Sequence, residues 1–208
     1  MQKKKIVISL DFVGTVISNT YLEYFWKESI PRAYAEEKKI SLEEAKRLIL
    51  KEYGKVSPDE INWYLPEYWL DRFGIEKDLI SIVEESLLSL EVYQDALEFI
   101  KIFECKCKLV ITSNVPSLLI SKPLSLLNLK FDKIYSSSDM RIVGKPPSFY
   151  KLILKDLGIS PLDMIHIGDD EINDVENPRG VGIKSYLLDR AAGATLNSFV
   201  AIIQTMIS

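Results

Sequence analysis

Short apolar runs along the chain predict the strands of a sheet. The first run is residues 6–10, and it ends at the carboxylate of Asp11. Similar runs follow in the second half of the chain, at residues 108–112, 133–136, 164–167 and 185–188. Short apolar runs bounded by turn residues are typical of buried strands. We therefore predict a sheet built from these segments.

Apolar residues with helical spacing lie between the later runs. One such face consists of Phe149, Leu152, Ile153 and Leu157, and the last consists of Phe199, Ile202, Ile203 and Met206. Strands that alternate with single helices are joined by right-handed parallel crossovers. The pattern therefore predicts an α/β fold with a doubly wound parallel sheet.

Residues 17–92 have a different, almost wholly helical pattern. Residues 41–44 ("SLEE") and 57–60 ("SPDE") have the spacing of capping boxes, which begin helices. Gly54 and Gly74 follow helical patterns at positions typical of left-handed caps. These signals predict a small bundle of helices joined by short turns.

The predicted bundle divides the chain into two parts. We expect residues 1–16 and 93–208 to form the α/β core and residues 17–92 to form a helical insertion after the first strand. All three tryptophans fall in the insertion, where packing of the bundle is favoured over lining a substrate pocket; they are Trp26, Trp63 and Trp69.

Charge and composition exclude several classes of partner. The net charge of −4 and the isoelectric point near 5.2 argue against nucleic acid or a membrane surface, since both usually require a basic face. The cluster Lys3, Lys4 and Lys5 is too short to reverse this. No apolar run approaches the roughly 18 residues that span a bilayer, and the basic start lacks the cleavage site of a signal peptide. We therefore expect a cytoplasmic protein without nucleic-acid or membrane partners.

Three residues with reactive side chains are interpreted as structural. Cys105 and Cys107 would point the same way in an extended segment, so a redox pair or half a metal site is conceivable. Two reduced thiols leading into a strand are favoured, because no further Cys or His lies nearby. His166 lies within a strand-like run, and a core or edge histidine is favoured over a catalytic one.

Polar residues follow the predicted strands at the edge where ligands bind in such sheets. They are Asp11, Ser113, Asn114, Lys145, Asp169, Asp170 and Asp174. Each has a simpler explanation as a turn or cap residue. Together, however, three or more carboxylates in one crevice repel one another unless a cation joins them, and a hard divalent ion such as Mg²⁺ suits oxygen ligands.

This constellation fits phosphoryl transfer. Asp11 can attack an electrophilic phosphorus once a metal ion and Lys145 neutralise the local negative charge. Ser113, together with the backbone N–H groups around Gly14 and Thr15, can hold phosphoryl oxygens. Asn114 lies beside them as a further candidate for substrate binding.

Four segments resemble a known family, the haloacid dehalogenase superfamily of hydrolases with a helical cap. They occur in the family's order as "LDFVGTV", "LVITSN", the lysine of "GKPPSFY" and "IHIGDDEIND". The resemblance covers residues 1–16 and about 93–190, with the helical block in the place of the cap. It implies a Rossmann-like core, a cap that closes over the site, and Mg²⁺.

The resemblance also implies roles for individual residues. Asp11 would be the nucleophile that forms an aspartyl intermediate, and Asp169 would ligate the metal. Asp170 or Asp174 would assist in binding the metal, and the backbone carbonyl of Val13 would be a further ligand.

Val13 departs from the pattern of the family's phosphatases. These enzymes have a second Asp here, which protonates the leaving oxygen and then activates water. Valine lacks this acid–base function, which contributes a factor of roughly a hundred to ten thousand to the reaction rate. This leaves three alternatives. The substrate has a leaving group that needs no protonation, as in an acyl or aryl phosphate; the enzyme belongs to a branch of the family with different chemistry; or the site binds its ligand without turnover.

The favoured prediction is a Mg²⁺-dependent phosphatase, monomeric or homodimeric, that acts on a small phosphorylated metabolite. The alternatives are a catalytically weakened binding or regulatory protein and a dehalogenase or phosphonatase. Family dehalogenases dispense with magnesium and have Ser and Asn where this chain has Asp169 and Glu171. Phosphonatases use a cap lysine as a Schiff base, for which the candidates are Lys27, Lys38, Lys39 and Lys46.

Overall fold

The computed structural model of the protein describes residues 6–207, so the cluster Lys3, Lys4 and Lys5 lies outside the described residues. The strands are β1 (Val7–Leu10), β2 (Lys108–Ser113), β3 (Lys133–Ser136), β4 (Met164–Gly168) and β5 (Lys184–Leu187). They form one parallel sheet in the order β3-β2-β1-β4-β5. The predicted α/β fold with a Rossmann-like, doubly wound sheet is confirmed, and the strand ends differ from the prediction by about one residue.

Helices connect the strands and fill the interval after β1. They are α1 (Thr20–Tyr24), α2 (Ile30–Lys38), α3 (Leu42–Tyr53), α4 (Pro66–Phe73), α5 (Leu79–Ser86), α6 (Gln94–Phe103), α7 (Ser117–Leu126), α8 (Pro147–Leu157), α9 (Asn177–Arg179) and α10 (Val200–Ile207). Helices α1 to α5, called the inserted helices below, lie between β1 and β2 in the chain. The division into a core (1–16 and 93–208) and a cap (17–92) stays a prediction.

The caps of the inserted helices bear out part of the sequence pattern. The Ser41 side chain accepts a hydrogen bond from the Glu44 N–H at 3.2 Å, which begins α3 as expected. Gly74 has a φ of 58° and ends α4 in the left-handed conformation. Gly54, by contrast, has a φ of −64°, so the prediction of a left-handed cap there is wrong.

The predicted helix start at residues 57–60 is also wrong. The Ser57 N–H donates to the Glu60 carboxylate at 3.2 Å, but this bond closes a turn. Only a short 3₁₀ helix, Ile61–Tyr64, follows it. Pro66 then begins a new helix, because proline has no N–H with which to continue the preceding one.

Both faces of the sheet are buried, which explains why the strands are apolar at successive positions. In β1, Ile8 and Leu10 pack into a large cluster that extends into the inserted helices. Val7 faces the opposite side and packs with Phe149 and Tyr150 of α8. The alternation of side chains along a strand therefore places Ser9 on the same face as Val7.

The chain enters and leaves the inserted helices through two adjacent segments. Ile17 forms an antiparallel bridge with Val92. The Tyr93 N–H donates to the Val16 carbonyl at 3.1 Å. The inserted helices are thereby fixed beside the carboxyl end of β1.

Two further observations concern membrane-spanning helices and the cysteines. Between residues 6 and 207, no helix is both long enough and apolar enough to cross a membrane. Cys105 is exposed, Cys107 is half-buried, and both are free thiols.

Candidate active site

Three carboxylates meet at the carboxyl end of the sheet. Asp11 directly follows β1, Asp169 directly follows β4, and Asp174 lies in a π-helical turn, Glu171–Glu176. One oxygen of each lies within 4.8 Å of the other two. Strands β1 and β4 are neighbours at the point where strand order reverses, so this crevice is the place where a ligand is expected in a doubly wound sheet.

Lys145 joins two of these carboxylates. Its Nζ lies 2.6 Å from Asp11 Oδ1 and also contacts Asp174 Oδ1. Its side chain is 3% exposed, so water screens the interaction little. Burial alone would lower the pKa of Lys145, but Asp11 and Asp174 raise it above its ordinary value, and the side chain stays charged.

The negative charge of the cluster exceeds what Lys145 neutralises. Burial raises the pKa of Asp11, and the charge of Asp174 adds to this, although Lys145 opposes both. Desolvation, followed by the charges of Asp11 and Asp174, raises the pKa of Asp169 to about 6. Carboxylates whose ionisation is opposed in this way are stabilised by a hard cation, and an all-oxygen donor set fits Mg²⁺.

A buried histidine supports Asp174 from behind. His166 Nε2 lies 2.8 Å from Asp174 Oδ1 and 3.1 Å from the Tyr150 hydroxyl, and Nδ1 lies 2.8 Å from Ser9 Oγ. Burial would raise the pKa of Asp174, but Lys145 and His166 hold it below its ordinary value. The interpretation of His166 as a core histidine agrees with its full burial, and its contact with Asp174 also makes it part of the site.

Asp170 lies next to this cluster in sequence, but its side chain is used differently. Its Oδ1 accepts a hydrogen bond from the Asn173 N–H at 2.6 Å and so caps the turn that contains Asp174. Asn173 in turn accepts from the Lys145 N–H at 2.8 Å through Oδ1. In this structure the Asp170 side chain caps the turn, and its assignment as a metal ligand stays a prediction.

Two glycines make room for the carboxylates. Gly14 has a φ of +81°, and a Cβ there would lie 2.0 Å from Asp169 Oδ2. A Cβ on Gly168 would lie 2.3 Å from the carboxyl carbon of Asp174. The Gly14 N–H donates to the Ile17 carbonyl at 2.8 Å, so it is not available to a phosphoryl oxygen as the sequence predicted. The role that the structure gives to Gly14 is steric.

An arginine after β5 holds the turn that follows Asp11. Arg190 donates to the Gly14 carbonyl at 2.9 Å and to the Thr15 carbonyl at 2.7 Å. It also pairs with Asp95 at 3.2 Å and lies 3.6 Å from the centroid of the Tyr93 ring. Arg190 thereby connects this turn to the segment through which the chain leaves the inserted helices.

The remaining predicted residues lie along the same edge. Ser113 is the buried last residue of β2, and Lys145 Nζ donates to the carbonyl of the preceding Thr112 at 3.5 Å. The Ser138 hydroxyl donates to the Asn114 carbonyl. Thr15 Oγ1 is buried and has no hydrogen-bond partner within residues 6–207. Val13 is half-buried and bridges to Ile17, with its side chain against the large apolar cluster.

Comparison with known proteins identifies the family. A family model described as haloacid dehalogenase-like hydrolase matches residues 7–182. The chain belongs to this family. It is 20% identical over 167 residues to the GMP/IMP nucleotidase YrfG of Escherichia coli, an alignment that covers 79% of this chain and 74% of the relative.

Solved structures of haloacid dehalogenase-like proteins have the same fold. A HAD phosphatase from Thermococcus onnurineus is 21% identical, with a TM-score of 0.78 over 96% of this chain and 97% of that one. A HAD family enzyme from Bacteroides thetaiotaomicron, in complex with magnesium and inorganic phosphate, is 18% identical, with a TM-score of 0.59 over 94% of this chain and 99% of that one.

Sequence reasoning missed the polar residues Ser9 and Thr112 behind the carboxylates. It also missed the contact of His166 with Asp174. Ser9, Thr112 and His166 lie on neighbouring strands, and Ser9 is the register partner of His166. Ser9 Oγ lies 2.5 Å from Thr112 Oγ1. Polar residues inside otherwise apolar strands were the available signal, because buried polar groups are usually paired.

Proposed function

We propose that this protein is a Mg²⁺-dependent phosphohydrolase that acts on a small phosphorylated compound through an aspartyl intermediate on Asp11. The arrangement of Asp11, Asp169 and Asp174 around Lys145 carries the proposal, because it combines a nucleophile with positive charge and oxygen ligands in one crevice. Similarity to a nucleotidase and to a family enzyme bound to magnesium and phosphate supports it.

The metal ion would be held by Asp11, Asp169, Asp174 and the backbone carbonyl of Val13. When bound, Mg²⁺ supplies Lewis-acid stabilisation of the phosphoryl oxygens. Asp170 contributes by capping the turn that carries Asp174. This set contains only oxygen atoms, as Mg²⁺ prefers.

The side chains of this protein have separate parts in the reaction. One Asp11 oxygen attacks phosphorus while the ester oxygen leaves, and water then hydrolyses the aspartyl phosphate. Lys145 neutralises phosphoryl charge, and Ser113, Asn114 and Thr15 are the proposed hydroxyl and amide contacts of the substrate. Positioning and charge stabilisation of this kind account for most of the catalysis of phosphoryl transfer.

Two other readings of the family are less well supported. Family dehalogenases lack a magnesium site, whereas Asp169 contributes its carboxylate to the cluster here. A phosphonatase needs a cap lysine that can become neutral, but Lys46 is hydrogen-bonded to Glu28 at 2.6 Å, which raises its pKa. Lys27 is paired with Glu23 at 3.5 Å. The third alternative, a protein that binds its ligand without turnover, is tested by the experiment that follows.

The proposal predicts continuous, magnesium-dependent release of phosphate from an aryl phosphate. The measurement is steady-state phosphate release from 4-nitrophenyl phosphate with Mg²⁺ and after removal of the metal by a chelator. We expect many turnovers per protein molecule with Mg²⁺ and loss of nearly all activity with chelator. A single stoichiometric burst, or no release, would contradict a working phosphohydrolase and favour a binding protein.

A second prediction concerns Val13. Val13→Asp introduces the missing acid–base group, so hydrolysis of an alkyl phosphate such as glycerol phosphate should rise about a hundredfold. Rates with 4-nitrophenyl phosphate should rise less, because that leaving group needs no proton.

Val13→Asn is the matched control, since it has the shape and polarity of Asp but cannot exchange a proton. Equal rates for the Asn and Asp variants would show that proton transfer is not the missing function.

A further inference from the structure

A cavity lies between the inserted helices and the loop that follows β2. Its volume is about 600 Å³. Residues of α1, the end of α3 and the 3₁₀ helix Ile61–Tyr64 form one wall, and Asn114, Val115, Pro116 and Leu119 form the other. Cavities of this size hold small organic ligands.

Aromatic rings dominate the wall that the inserted helices provide. They belong to Trp26, Tyr53, Trp63, Tyr64 and Trp69. The Tyr53 hydroxyl donates to the Trp26 carbonyl at 3.2 Å, and the Trp69 indole N–H donates to the Trp63 carbonyl at 3.1 Å. These two polar atoms are occupied within the protein, so Tyr53 and Trp69 offer the cavity mainly their apolar surface.

The arrangement of the rings leaves aromatic faces and edges for a ligand. Tyr53 packs edge-on against Trp26 and Trp63, with centroids 6.0 and 6.3 Å apart. Trp26 and Trp63 are both half-buried, so part of each ring faces the cavity or solvent. Flat aromatic groups pack well against such rings in edge-to-face or offset geometry. The sequence favours packing of the bundle over lining a pocket for the three tryptophans; in the structure they contribute to both.

Charge at the cavity favours an uncharged group. Lys27 and Glu23 line it, and they form an ion pair with each other at 3.5 Å. Both side chains are more than half exposed, and their charges cancel, so this part of the lining has no net charge to recruit a charged group. An uncharged ring needs no such partner.

The cavity adjoins the candidate active site through the loop after β2. Asn114 lines the cavity and directly follows Ser113, which ends β2 beside β1. None of the three clustered carboxylates lines the cavity, so a substrate with its phosphoryl group at Asp11 would have to extend past Asn114 for its leaving group to reach the aromatic rings.

The chemistry at Val13 selects the kind of leaving group independently of the cavity. Without an acid, the ester oxygen must leave as an anion, taking the electron pair of the P–O bond as the Asp11–phosphorus bond forms. A phenolate leaves as an anion far more readily than an alkoxide does, because a phenol has a pKa of only about 10. Water then adds to phosphorus, phosphate departs, the proton passes to solvent or phosphate, and Asp11 is regenerated.

Resting on the proposed function, we propose that the substrate is an aryl phosphate whose ring occupies this aromatic cavity. The test compares kcat/KM for four substrates: 2-naphthyl phosphate, benzyl phosphate, acetyl phosphate and GMP. Benzyl phosphate and GMP have rings but alkyl ester oxygens, and acetyl phosphate has a good leaving group without a ring. We expect 2-naphthyl phosphate to exceed each of the others at least tenfold.

Leu50 tests whether the cavity is the source of this preference. It lines the cavity, and its side chain is about half exposed, so Leu50→Glu should fold. We expect the ratio of kcat/KM for 2-naphthyl over acetyl phosphate to fall about tenfold, through KM. Leu88→Glu is the matched control, because Leu88 is 87% exposed and lies outside the cavity; its ratio should equal that of the unmodified protein.

Binding of 2-naphthol gives a readout that does not require turnover. Its quenching of tryptophan fluorescence should saturate, and Leu50→Glu should weaken it about tenfold while Leu88→Glu does not. Such binding with no phosphate hydrolysis would overturn the proposed function, and with it the assignment of a substrate, and would leave the cavity as a binding site for aromatic rings. Hydrolysis that needs Mg²⁺ and Asp11, with acetyl phosphate or GMP equal to 2-naphthyl phosphate, would overturn the aryl proposal alone.

Discussion

Asp11→Asn should lower kcat for 4-nitrophenyl phosphate by at least roughly a thousandfold, because an amide oxygen is too weak a nucleophile to form the intermediate. The same variant should trap no phosphorylated protein after rapid acid quenching. The measurements are steady-state phosphate release and mass spectrometry of the quenched protein, with and without Mg²⁺.

This loss of activity should not be accompanied by a loss of stability. The pKa of Asp11 is raised in the folded protein, chiefly by burial, so the ionised side chain disfavours folding at every pH above its unfolded pKa. The neutral amide removes that penalty. Chemical denaturation at pH 7 should therefore show an unfolding free energy equal to or above that of the unmodified protein.

Asp170→Asn is the matched control for Asp11→Asn. It removes the same charge beside the same cluster, and Asn remains a good helix cap for the turn that Asp170 begins. We expect less than about a tenfold change in kcat, since the Asp170 carboxylate caps Asn173 rather than facing the other three. Equal inactivation by both substitutions would point to a general effect of charge and not to nucleophilic attack by Asp11.

The sheet and much of the site could be predicted because both depend on local pattern. Apolar runs placed the strands, and the rule that ligands bind beyond their carboxyl ends brought Asp11, Lys145, Asp169 and Asp174 together. The position of Asp170 was not predictable in this way. Adjacent aspartates have the same chemistry in a sequence, and only the backbone of the turn decides which one faces the crevice.

Tertiary contacts account for the other differences. Gly54 follows a helical pattern, yet its right-handed conformation depends on how α3 meets the next turn. His166 has two apolar neighbours in sequence, so its partners Ser9, Tyr150 and Asp174 become visible only when the strands and α8 are packed. Long-range contacts of this kind leave only a weak signal in one sequence.

Lys145→Met should lower the unfolding free energy by about 3–5 kcal/mol in the absence of divalent metal, as expected when one partner of a buried ion pair is removed. The Lys145 and Asp11 side chains are only 3% and 7% exposed. Methionine preserves much of the apolar length of lysine, so the effect comes mainly from leaving Asp11 and Asp174 without their shared cation.

Lys133→Met is the matched control for Lys145→Met, because it removes the lysine of an ion pair that is exposed rather than buried. Lys133 Nζ also lies 2.6 Å from a carboxylate, that of Asp156, but these two side chains are 49% and 47% exposed. Water already solvates both charges, so this substitution should lower the unfolding free energy far less than Lys145→Met does. Similar losses for the two variants would show that Lys145 does not stabilise the folded protein through its burial between carboxylates.

Magnesium should restore part of the stability that Lys145→Met removes. An ion that binds only the folded protein stabilises it in proportion to the logarithm of its concentration above the dissociation constant. With Lys145 absent, Asp11 and Asp174 lose the ammonium group that they share, and they should bind Mg²⁺ more tightly. Urea denaturation at increasing Mg²⁺ should then show a larger gain for Lys145→Met than for the unmodified protein. An equal gain would mean that the ion and Lys145 do not neutralise the same carboxylates.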